Sequence, residues 1–79
     1  MAVKVGSKQD IIDLLGLYLE AARRGEFTQV CIVAYGNGDY CKDGVVEEGS
    51  PTASLIGSLE IAKSEVTEFI KQLDLEGRL

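Results

Sequence analysis

The chain has 79 residues, eight Lys or Arg against thirteen Asp or Glu, and a net charge of −5. At this size it is one domain that buries only about 60% of its unfolded surface, so disulfides, a metal or association must add stability. The negative charge argues against DNA, RNA or an anionic membrane as partner, because such affinity comes from cations.

The first predicted element is a helix over residues 7–24. Ser7 is a good N-cap, and Asp10 three residues on completes a capping box. Asp10 and Asp13 lie at the positive end of the helix dipole. Arg23 and Arg24 fill the last turn, and Gly25 supplies a left-handed C′ residue. Ile11, Leu14, Leu15, Tyr18 and Ala22 make one apolar face. Ile12, Leu17 and Leu19 fall outside it, so this helix is expected to be covered on more than one side.

A strand follows over residues 27–35. Val30, Ile32 and Ala34 point one way and Cys31, Val33 and Tyr35 the other, the pattern of a strand covered on both faces. Asn37-Gly38 is a strong hairpin signal, since both residues tolerate positive φ. A two-residue loop pairs Tyr35 with Tyr40 and puts Cys31 and Cys41 on opposite faces. A three-residue loop, Gly36-Asn37-Gly38, pairs Cys41 with Val33 and puts the thiols on one face. The sequence leaves both registers open. The second strand, residues 39–46, carries Lys42, Asp43 and Gly44, the marks of an edge or a bulge.

The last element is a helix over residues 50–75, with Ser50 as N-cap and Pro51 at N1. Its core stripe is expected to run through Leu55, Ile56, Leu59, Ala62, Val66, Phe69, Ile70 and Leu73. A second stripe holds Ala53, Gly57, Ile61 and Ser64, where small residues admit another helix. Residues 74–79 are expected to fray. The reading is an α+β domain of α-β-β-α plan, both helices packed on a short antiparallel hairpin and completed by homo-oligomerisation. A C₂ dimer is the simplest form, with Ile12, Leu19, Ala53, Gly57 and Ile61 at the interface.

Chemistry is narrowed more than it is named. The chain has no histidine. That removes Ser-His-Asp and Cys-His systems and His-containing zinc sites, and two cysteines cannot make a Cys₄ site in one chain. A calcium loop starting at Asp39 fails, because position 12 falls on Ser50 instead of a bidentate Glu. Gly36-x-Gly38 closes a hairpin and does not open a helix, so it is no nucleotide fingerprint. The expectation is a non-enzymatic binding protein without cofactor. With no apolar leader or span in view and two free thiols, it is expected to be cytoplasmic. If it takes a small anion, Ser50 and Thr52 at the start of the second long helix offer hydroxyls and free N–H groups. Arg23, Arg24 and Lys42 offer charge, and Tyr35 and Tyr40 a flat face for a nucleotide-like base. The competing reading is plain capping at Ser50, with tyrosines that complete the core or an interface. An alternative function is an acidic adaptor that masks a basic partner protein.

The α-β-β-α plan with Leu55-Ile56-Gly57-Ser58-Leu59-Glu60 resembles small phage and prophage proteins that carry a Leu-Gly-Ala-Leu-Glu run after a hairpin. The resemblance implies a phage accessory, anti-defence role, by sequestering a nucleotide signal or masking a host protein. It brings no catalytic residues with it.

Overall fold

A computed structural model describes residues 3–77, with Thr52 described in its backbone only. The order is α1 (Lys8–Arg23), β1 (Gln29–Gly36), β2 (Asp39–Val46) and α2 (Thr52–Leu75), with β1 and β2 in one antiparallel hairpin. This is the α-β-β-α plan read from the sequence. Among the described residues no helix is long and apolar enough to cross a membrane.

Local chemistry sets each boundary. At the start of α1 the backbone N–H of Ser7 donates to Asp10 Oδ2 at 2.7 Å, and Asp10 N–H donates to Ser7 Oγ at 3.3 Å. At its end Gly25 adopts φ +74°. Gly25 N–H then donates to the Ala22 carbonyl and Glu26 N–H to that of Ala21, the paired bonds of a Schellman motif. That motif folds the chain back so that Phe27 meets Tyr18, ring centroids 5.5 Å apart. Phe27 therefore belongs to the helix end, and β1 begins two residues later than the alternation predicts.

The hairpin register is settled. Tyr35 faces Tyr40, Ala34 faces Cys41 and Cys31 faces Gly44. Asn37 and Gly38 both have positive φ, +54° and +78°, which makes the loop a two-residue type I′ turn. Pairing runs without interruption from Gln29↔Val46 to Gly36↔Asp39, so β2 contains no bulge. A Cβ at Gly44 would lie 3.1 Å from the Val30 carbonyl oxygen, so a side chain there would push the two strands apart by a few tenths of an ångström.

The start of α2 differs from expectation. Pro51, at ψ +112°, is the N-cap residue, the helix begins at Thr52, and no side chain caps it. Ser50 instead belongs to the preceding turn, its N–H donating to the Glu47 carbonyl at 3.0 Å. The Pro51 carbonyl accepts a hydrogen bond from Gln29 Nε2, which ties the start of α2 to the first residue of β1. At the other end Asp74 and Leu75 are helical instead of frayed, and Gly77 closes the helix at φ +69°. Residues 78 and 79 of the expected frayed tail lie outside the described residues.

The core of a single chain is small. Leu73 is buried, and Leu55 and Phe69 of α2 are half-buried, as is Val30 of β1. The rest of the expected α2 stripe, including Ile56, Leu59, Val66 and Ile70, is exposed. α1 has no buried residue at all. Both faces of β1 are open from residue 31 to 36, so the cover expected on both sides of that strand is not supplied by its own chain. The molecule measures 45 × 27 × 23 Å, with a radius of gyration of 14.5 Å against about 11.6 Å for a compact chain of this length.

The capping box makes two outcomes testable. Ser7→Ala should cost about 1 kcal/mol in chemical denaturation. The Ser7 hydrogen bonds, backbone first, hold the Asp10 carboxyl below its ordinary value of 3.8, with help from Lys4. A group lowered on folding stabilises fully above its unfolded pKa, and that stabilisation is lost as pH falls through the folded one. Helicity by circular dichroism should therefore decline in acid below the ordinary Asp range, and Asp10→Asn should flatten that part of the decline.

Candidate functional site

The register gives the two faces of the hairpin different chemistry. Tyr35, Tyr40, Lys42, Val33 and Cys31 share one face, and Ile32, Ala34, Cys41, Asp43 and Val45 share the other. Tyr35 and Tyr40 are directly opposed beside the turn, 77% and 57% exposed. Lys42, two residues from Tyr40 on β2, adds a cation to the same face. Among the described residues it makes no ion pair. Two aromatic rings and one ammonium therefore meet solvent together, with no wall facing them.

The arginines lie elsewhere and are engaged. Arg23 Nη1 donates to Glu20 Oε1 at 2.8 Å. Arg24 donates through Nε and Nη2 to Glu26 Oε2, at 3.1 and 2.8 Å. These exposed pairs are worth less than about 1 kcal/mol each, so an anion could exchange with the carboxylates at little cost.

Ser50 is half-buried at the opposite end of the hairpin from the tyrosines. The side chain of Thr52 lies outside the described residues. Tyr35 is six residues along β1 from Gln29, the strand residue that holds Pro51, which is roughly 20 Å at 3.3 Å per residue. One chain thus brings together Tyr35, Tyr40 and Lys42, and separately Ser50 and the start of α2, but does not join the two groups.

The candidate interface residues are all open. Ile12 and Leu19 are about half exposed and Ile61 is 62% exposed. Ala53 is exposed, and a Cβ placed on Gly57 would meet nothing within 4 Å. A shallow hollow lined by Glu60, Lys63, Ser64, Thr67 and Glu68 lies on α2 alone, with no second element to enclose a ligand. Among the described residues no group of three or more Cys, Asp or Glu side chains is placed to hold a metal ion.

Gln29 was not singled out by sequence reasoning. Its Nε2 holds the Pro51 carbonyl, while its Oε1 is buried with no hydrogen-bond partner among the described residues. The available signal is a polar residue, after Thr28, next to the apolar run that begins at Val30. It reads equally well as ordinary strand-end polarity.

Compared with known protein families, curated proteins and solved structures, the chain matches none.

With Cys31 and Cys41 on opposite faces, the two thiols of one chain should not pair. Mild oxidation followed by intact-mass measurement should show no loss of two hydrogens per chain. An internal disulfide would contradict the register.

Proposed function

We propose that the protein is a non-enzymatic, homo-oligomeric binding protein that takes a small nucleotide-like anion at a junction between copies. The observation that carries the assembly part is α1: sixteen residues, none buried, with Ile11, Ile12, Leu15, Leu17 and Leu19 each at least half exposed. Exposed apolar residues scattered singly are normal, but a contiguous run of this kind marks an interaction surface.

Area supports the same reading. The chain exposes 6810 Å², whereas a folded monomer of 8.5 kDa exposes about 4,700 Å². The excess, roughly 2,100 Å² per chain, is of the size buried in obligate homodimers. The ligand part is supported by the Tyr35–Tyr40 pair with Lys42 on one face. A base can stack on the rings and a phosphate can meet the ammonium. The absence of histidine supports binding over catalysis. A phage accessory role in which a nucleotide signal is sequestered is consistent with this chemistry.

A thermal-shift screen with cyclic and linear nucleotides tests the ligand part. A ligand at 100 times its Kd adds about 2.7 kcal/mol. At about 4–8 °C per kcal/mol for a domain this small, Tm should rise by roughly 10 °C or more. Lys42→Ala and Tyr40→Ala should each abolish most of that rise. No shift with any nucleotide, together with salt-sensitive capture of a basic protein, would favour the adaptor reading instead.

A further inference from the structure

The hairpin has two free edges, and they are not alike. β1 reads Gln-Val-Cys-Ile-Val-Ala-Tyr-Gly without a charge, while β2 carries Asp39, Lys42, Asp43 and the weak Gly44. Charged edges discourage pairing with another strand, and uncharged apolar edges invite it. The phase of the ladder is fixed by Glu47 N–H donating to the Thr28 carbonyl at 2.8 Å. In an antiparallel pair, bonded and non-bonded positions alternate. Residues 30, 32, 34 and 36 therefore bond to β2, while Gln29, Cys31, Val33 and Tyr35 turn their N–H and C=O groups to the open edge.

We infer that β1 pairs edge to edge, antiparallel, with β1 of a second copy, giving a four-stranded sheet about a two-fold axis at Ile32. Outward-facing residues must oppose outward-facing residues, which admits only alternate registers. The register centred on Ile32 is the one that pairs all four of them. Gln29 then faces the partner's Tyr35, and Cys31 faces the partner's Val33. Ile32 faces its own symmetry mate and Val30 faces the partner's Ala34, so every other contact on that second face is apolar too. A lone two-stranded hairpin is marginal in water, and four strands remove that weakness. The roughly 2,100 Å² of excess surface per chain leaves room for this contact and for cover over α1.

This pairing rests on the self-association proposed above and completes its ligand reading. Within one chain Tyr35 and the start of α2 are roughly 20 Å apart. Across the paired edges Tyr35 lies about 5.5 Å, Cα to Cα, from the partner's Gln29, the residue equivalent to the one that holds Pro51. Tyr35, Tyr40 and Lys42 of one copy thereby reach the start of α2 in the other. Two symmetric sites result.

Proline at an outward-facing position removes an edge donor without touching the hairpin's own bonds. Val33→Pro should convert the multimer to a form of half its mass, while Lys42→Pro, at the equivalent outward position of β2, should leave the mass unchanged. Because Val33→Pro could also unfold the chain, amide exchange of the unaltered protein by NMR is the second measurement. The amides of Cys31, Val33 and Tyr35 should exchange as slowly as those of Ile32 and Ala34, and that of Lys42 much faster. If the protein is a multimer but Cys31, Val33 and Tyr35 exchange as fast as Lys42, the edge pairing is wrong and the self-association reading stands. If the unaltered protein is a monomer, both fall.

Discussion

Apolar surface that one chain cannot cover governs this molecule. Folding a chain of 8.5 kDa normally buries about 60% of the roughly 12,300 Å² it exposes when unfolded. Here 6810 Å² stays exposed, so about 45% is buried. The shortfall is structural. Two strands make one thin layer, and within the chain Leu73 alone among the described hydrophobic residues is buried, with Leu55, Phe69 and Val30 half-buried. α1, tied to the hairpin through Gly25 and the Tyr18–Phe27 contact, leaves most of its apolar circumference in solvent. Water penalises that arrangement at about 25 cal/mol per Å² of apolar area. A second copy is the simplest cover, since it presents the same surfaces in the same amount.

What the single chain does supply is a set of well-made connections. The capping box at Ser7, the Schellman motif at Gly25 and the I′ turn at Asn37-Gly38 each satisfy backbone groups locally. None of them needs a core. Each is closed by groups within a few residues of itself. Gln29 is the exception. Its bond to Pro51 links residues 22 apart in sequence and sets where α2 leaves the hairpin.

Those local signals are also what made the fold legible from sequence. Ser7, Asp10 and Gly25 marked α1, and Asn37-Gly38 marked the hairpin, because each reports on its own few residues. The hairpin register was not legible, since Gly36-Asn37-Gly38 accommodates two loop lengths and only the structure chooses between them. Ser50-Pro51 misled by one residue. Capping preference ranks Ser first, but Pro51 sits extended, with its carbonyl engaged by Gln29, a contact no local pattern encodes. The two-sided apolar character of α1 and β1 pointed to heavy cover, and their exposure in one chain explains why no core within the chain satisfied it. Of the candidate ligand residues, the Tyr35–Tyr40–Lys42 face followed from one choice of register. That Ser50 lies at the other end of the hairpin follows from chain order, since α2 must leave from the end of β2, but the Gln29–Pro51 contact that holds it there does not.

On the function proposed above, the open apolar faces of α1 and β1 are closed by other copies of the same chain. Sedimentation equilibrium at micromolar concentration measures this directly. Closure by other copies requires a mass that is a whole multiple of 8.5 kDa, two or greater, and that holds as salt is raised, because apolar cover is not screened. A single species of 8.5 kDa across that range would contradict it.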